Sequence, residues 1–234
     1  MAPPLYRLYS PPGSLFGFAP LVVSEYVGVS IEIATGTAEG SIEQLIASKS
    51  PTGKSPMLET RKGQVIVSSQ AIARFIANLR RDTELSGTAG SLRDATAIED
   101  WTNWASQELE LPACVSYYMI TECIPFDETN FTKAKNDISC ALRVLETHLQ
   151  KEIIISSSSS STEKSLARIY LVLSEQVTLA DIIIACYLVY PFTLVFDEAD
   201  LKKFPNVMRW FRNCMQQPEF VSVLGTVECG KSRH

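Results

Sequence analysis

Residues 80–90 read Arg-Arg-Asp-Thr-Glu-Leu-Ser-Gly-Thr-Ala-Gly, polar and small, and the hydrophobic rhythm differs on the two sides of that stretch. Before it, β-branched runs alternate with helical ones. After it, apolar residues recur at helical spacing. Such a break predicts a mixed α/β unit joined to an all-helical one, divided as residues 1–80, a linker at 81–91, and residues 92–234.

In the first unit, residues 5–9 read as a strand, 11–14 as a Pro-Pro-Gly-Ser turn, 19–26 as a helix and 29–33 as a second strand. A short helix follows at 42–48. Strands at 57–60 and 64–67 are joined by Arg61-Lys62-Gly63, and Ser68 or Ser69 caps a helix reaching Asn78. That βαβ-α-ββα order is the one a thioredoxin-like domain requires, with a right-handed crossover between its parallel strands.

In the second unit, Trp101, Trp104, Ala105 and Leu109 form one stripe, and Ala134, Ile138, Ala141, Leu142, Leu145 and Leu149 another. Thr178 and Asp181 stand three apart, as a capping box needs, before a buried helix extending to Val195. Pro205 suits the first turn of a helix whose face is Val207, Trp210, Phe211 and Cys214, and Pro218 ends it. The serine run at 156–161 continues as Thr-Glu-Lys-Ser165. That composition has nothing to bury, so residues 156–165 are expected as a disordered surface insertion.

The chain has 234 residues, 46% apolar and 20% charged, with a formal net charge of −5. No basic run is present to neutralise phosphates, so nucleic acid is not an expected partner. The longest apolar run, 182–196, falls short of the ~20 residues a bilayer needs and contains Pro191, so no membrane span is expected. Cys114, Cys123, Cys140, Cys186, Cys214 and Cys229 form no C-x-x-C pair, and the first residues lack the apolar centre of a signal peptide. Reduced thiols in a cytoplasmic protein, mostly packed as small hydrophobes, are the expectation. His148 and His234 are the only histidines and are expected at the surface, which leaves little material for a triad or a metal site. Gly53-Lys54-Ser55 is not the end of a nucleotide-binding loop, because position 48 is serine and Pro56 blocks a helix directly after it.

The order of residues from Phe204 to Gly225 resembles the end of the glutathione-transferase-like domain of the elongation factor 1 gamma subunit. The corresponding domain of valyl-tRNA synthetase is a close second. Ser50-Pro-Thr-Gly-Lys-Ser-Pro-Met-Leu-Glu-Thr60 and Val67-Ser-Ser-Gln-Ala-Ile-Ala-Arg74 are similar to the glutathione-site half of that family. Ile98 to Ala105 and Glu175 to Ile182 are similar to two of its later helices. The resemblance covers almost the whole chain and implies the glutathione-transferase fold.

It also implies a site. A cis Pro56 would turn the Ser55 peptide outward, where its N–H and C=O can pair with an extended ligand. Ser69, at the positive end of its helix, could hold a carboxylate. By resemblance, Ser55, Pro56, Ser68 and Ser69 carry glutathione's cysteinyl backbone and γ-glutamyl end, with Lys54 near its glycyl end. Relatives commonly have Glu-Ser-Asn where this chain has Ser68-Ser69-Gln70, so an acidic group is missing there. A transferase also needs a hydroxyl after the first strand to lower the thiol pKa. Tyr9, Ser10 and Ser14 are the weak candidates, in a proline-rich setting.

The expected function is therefore a non-catalytic scaffold of translation elongation, with no required cofactor, holding the exchange subunits of elongation factor 1. An active glutathione transferase and a domain associated with an aminoacyl-tRNA synthetase remain the alternatives. Whether the chain dimerises and whether glutathione enters stay open at this stage.

Overall fold

In a computed structural model, residues 5–34, 41–150, 152–156, 163–167, 169–173 and 175–231 are described. The first half is built on a four-stranded sheet in the order β2-β1-β3-β4. Its strands are β1 (Tyr6–Tyr9), β2 (Glu32–Ile33), β3 (Met57–Thr60) and β4 (Val65–Val67). β1 runs parallel to β2 and antiparallel to β3, with Leu8 opposite Leu58 and Tyr9 opposite Met57. The two-residue period of a strand sends those pairs to opposite faces. Leu8 and Leu58 join the main core, whereas Tyr9 and Met57 form a small cluster with Ala34 and Ile46 under α2 (Ile42–Lys49).

Helix α1 (Leu15–Val27) begins earlier than the sequence suggested and runs through Pro20. Proline lacks the N–H that would reach back to the Phe16 carbonyl, so one helical bond is missing in the second turn. Gly28, at φ +67°, ends the helix by donating to the Glu25 and Ser24 carbonyls. β2 is shorter than the expected 29–33, because the chain between Gly28 and Glu32 packs Val29 and Ile31 against the main core instead of joining the ladder. α3 (Ser69–Ala77) buries Ile72, Ala73 and Ile76 against α1.

The second half is helical: α4 (Leu92–Glu108), α5 (Glu110–Ile120), α6 (Glu128–Gln150), α7 (Leu179–Tyr190), α8 (Glu198–Leu201), α9 (Pro205–Met215) and α10 (Pro218–Leu224). Apart from Asp181 in its first turn α7 is largely apolar, as suits a helix surrounded by others, and every residue from Leu179 to Val189 is buried. The expected single helix to Val195 instead widens at Pro191 into a π turn over Pro191–Val195. α1 packs on α3, α7 and α10, which joins the two halves through one core.

Between α6 and α7, β5 (Glu152–Ser156) pairs antiparallel with β6 (Glu163–Ala167). This corrects the expectation of disorder at both ends of the serine run: Ser156 and Glu163 to Ser165 are paired, following the β-branched Ile153 to Ile155. Residues 157–162, the rest of that run, lie outside the described residues. His148 is also corrected. It is half-buried, with its ring 4.6 Å from Trp101 and Nε2 2.7 Å from the Leu171 carbonyl oxygen. His234 lies outside the described residues. All six cysteines are free; Cys114, Cys186 and Cys214 are buried, and Cys123 and Cys140 are exposed.

Trp210 is fully buried on the predicted stripe and donates its indole N–H to Asp181 Oδ1 at 2.9 Å. Trp210→Phe should lose a hydrogen bond to a carboxylate, about 1.5–3 kcal/mol, and Trp210→Ala about 3–5 kcal/mol through the cavity as well. Urea unfolding midpoints measure both, and an unchanged midpoint for Trp210→Ala would contradict this packing.

Candidate functional site

A cleft of about 1090 Å³ opens between the thioredoxin-like half and the helices. Lys54, Ser55 and Pro56 form one lip, where the turn after α2 enters β3, and the Ser55–Pro56 peptide is cis. Val67, Ser68, Ser69 and Gln70 come from the end of β4 and the start of α3. All five residues expected at a glutathione-like site, Lys54, Ser55, Pro56, Ser68 and Ser69, thus line one cavity.

Ser68 caps α3, its hydroxyl accepting from the Ala71 N–H at 3.3 Å. It does so at φ +73° and ψ 139°, a region that favours glycine and costs other residues about 1–3 kcal/mol. Ser69 is buried at the first turn, where unpaired helical N–H groups favour negative charge. Lys54 is exposed at the mouth and its backbone carbonyl accepts from Ser50 Oγ at 3.2 Å.

The inner wall was not legible in the sequence. Phe16, Ser106, Glu110, Tyr118 and Tyr187 line it together with Gln70. Gln70 Nε2 donates to the Thr102 carbonyl at 3.0 Å and to Ser106 Oγ, tying the start of α3 to α4. Glu110 Oε2 accepts from Tyr187 Oη at 2.8 Å and from Ser106 Oγ at 3.3 Å. Burial, followed by the nearby Glu110 charge, pushes the Tyr187 phenol well above its usual range. The same two causes bring the Cys114 thiol to about 12, so it is not a thiolate at neutral pH. Ser106 near the end of α4 and Glu110 at the start of α5 stand four residues apart, and polar residues at such a junction read as solvated surface until Tyr187 is known to face them.

None of the three hydroxyl candidates is among the residues lining this cleft. Tyr9 Oη donates to Glu59 Oε2 at 2.6 Å and accepts from Lys49 Nζ at 3.1 Å, in the cluster under α2. Ser10 is 4% exposed with its hydroxyl unpaired, against Gly17 of α1, where a Cβ would come within 2.7 Å of Oγ. Ser14 precedes α1 without capping it through its side chain. The loop that carries it is held by Tyr190, whose hydroxyl donates to the Gly13 carbonyl at 2.5 Å and whose ring stacks on Tyr117. Among the described residues no cluster of His, Cys, Asp or Glu could hold a metal ion, and no helix is long and apolar enough to cross a membrane.

The family model described as "Glutathione S-transferase, N-terminal domain" matches residues 4–78, and that for the C-terminal domain matches residues 109–218. The chain belongs to the glutathione S-transferase family. Elongation factor 1-gamma of Artemia salina is 30% identical over 94% of this chain and 46% of its own length. That of Prunus avium is 34% identical over 90% and 46%. The chain therefore spans about half the length of the curated relatives it matches. The crystal structure of the GST-like domain of elongation factor 1-gamma from Saccharomyces cerevisiae superposes with a TM-score of 0.76 at 18% identity, covering 98% of this chain and 97% of that one. The gamma-subunit resemblance and the fold read from the sequence are both borne out.

The Tyr9 cluster generates a pH prediction. Glu59 is held below the usual carboxylate range first by the Tyr9 hydroxyl and then by Lys49. A depressed folded pKa stabilises above the unfolded value, about 4.3 for a glutamate, and that contribution is lost as pH falls through the folded value. Tyr9→Phe should therefore unfold at lower urea than the parent near pH 7, with the difference narrowing below about pH 4. A gap that widened in acid would contradict this assignment. In a thiol-conjugation assay with a chromogenic electrophile, Tyr9→Phe, Ser10→Ala and Ser14→Ala should each match the parent rate. A tenfold loss in a folded variant would place that hydroxyl beside the reacting thiol.

Proposed function

We propose that this chain is a protein-interaction scaffold of the cytoplasmic translation-elongation machinery, which holds an exchange subunit of elongation factor 1 and does no chemistry of its own. The observation that carries the reading is the match to elongation factor 1-gamma proteins along 90% or more of the chain, through both domains. The cleft supports it from the other side. A transferase needs a hydroxyl within hydrogen-bond reach of the sulfur, and none of Tyr9, Ser10 and Ser14 is among the residues lining the cleft.

The transferase reading keeps one specific support, the assembly of Lys54, Ser55, Pro56, Ser68 and Ser69 on one cavity. Glutathione could bind there without being turned over, its carboxylate at the α3 N-terminus, and a homodimer is compatible with either role. In isothermal titration with purified elongation factor 1 exchange subunits, a dissociation constant of about 1 μM or tighter, as a specific interface gives, is the expected result. No heat of binding, alongside robust glutathione conjugation, would replace the scaffold with an enzyme. Selective binding of an aminoacyl-tRNA synthetase would move the scaffold to a different assembly.

A further inference from the structure

Glu110 has a role in the cleft that the scaffold reading does not use. Its Oε2 is fixed by Tyr187 and Ser106, two uncharged donors. No lysine, arginine or histidine forms an ion pair with it among the described residues. A carboxylate drawn partly out of water is stabilised by hydrogen bonds, but its charge is neutralised only by a cation.

The surroundings suit a cation with an apolar body. Phe16 and Tyr118 line the same cavity, and aromatic side chains favour both apolar surface and an ammonium over the ring. The lining cation, Lys54, is exposed at the mouth. The cleft is therefore polarised, positive at its lip and at the α3 N-terminus, negative at its inner wall.

We propose that the inner end of the cleft is a cation subsite, with Glu110 as its carboxylate, which takes the primary ammonium of a small aromatic or alkyl amine. Ser106 and Tyr187 position the carboxylate, and Oε1, for which no protein donor is found among the described residues, meets the ligand. This inference is independent of the scaffold proposal, because it concerns a small molecule in the cavity and not the surface that holds a protein.

The test uses phenethylammonium and the neutral phenethyl alcohol as probes, titrated into the ¹⁵N-labelled chain and read by amide shifts. Phenethylammonium should shift the Gln70, Ser106 and Glu110 amides saturably and bind about tenfold tighter than the alcohol, the size of one partly screened charge contact. The preference should shrink as salt is raised. Glu110→Gln, whose amide oxygen can still accept from Tyr187 and Ser106, should bind both probes equally. Equal binding of the two probes to the parent, no saturable shift with either, or an undiminished preference in Glu110→Gln would each overturn the proposal. Should Glu110→Gln fail to fold, the parent's two-probe comparison across salt decides alone.

Discussion

Asp181 is the junction on which the helical half depends. Its carboxylate is fully buried and accepts from the Leu171 N–H, from the N–H and hydroxyl of Thr178, and from the indole of Trp210. Burial pushes its pKa up and those donors pull it down. The donors come from three places: the strand of chain before α7, the cap of α7 itself, and α9. One side chain thus sets where α7 starts, where the chain leading into it lies, and how α9 is rotated. The next residue pair extends the joint to the linker, since the Leu179 N–H donates to the Leu85 carbonyl at 2.8 Å.

The cleft inherits its shape from that joint. α7 runs on from Asp181 to Tyr190, and two of its tyrosines make contacts beyond it. Tyr187 meets Glu110 at the cleft wall, and Tyr190 meets the Gly13 carbonyl at the loop after β1. Between α3 and α4, Gln70 reaches the Thr102 carbonyl, and Arg74 pairs with Glu99 at 2.7 Å. The Arg74 pair is exposed and contributes little to stability, whereas the Gln70 contact fixes the register between the start of α3 and α4. A second device of the same kind sits away from the cleft: Glu146 of α6 accepts from the Asn206 and Val207 N–H groups and so caps α9 from outside the helix.

Local signals made much of this legible. The strand runs at 5–9 and 57–60 predict the sheet, and the Thr178/Asp181 spacing predicts the α7 cap. The Val207, Trp210, Phe211 and Cys214 stripe predicts the buried side of α9, and all four are buried. The cleft lip was readable from the family resemblance, which implied Lys54 to Pro56 and Ser68 to Ser69 as parts of one site, and those residues line one cavity. The misreadings have long-range causes. Nothing near His148 announces Trp101 or the Leu171 carbonyl, and Ser156 is drawn into a strand by its pairing with Glu163 across the hairpin. Glu110 is the clearest case: a polar residue at the junction of α4 and α5 has surface character until a tyrosine 77 positions later closes over it.

The same geometry separates two demands that a cleft of this family can make on a chain. Binding an extended ligand asks for backbone groups and a helix end, which the fold supplies at β3 and α3 whatever the side chains nearby. Activating a thiol asks for one hydroxyl aimed at one point, and that depends on the loop after β1. In this chain the loop is drawn toward the helical half by Tyr190, Ser10 is turned beneath α1, and Tyr9 is engaged with Lys49 and Glu59 on the far face of the sheet. The cleft therefore gathers Lys54, Ser55, Pro56, Ser68 and Ser69 on its lining, while Tyr9, Ser10 and Ser14 are not among the residues that line it. A carboxylate on the inner wall gives that cleft a charge pattern set by the long-range contact between α5 and α7, which local sequence does not reveal.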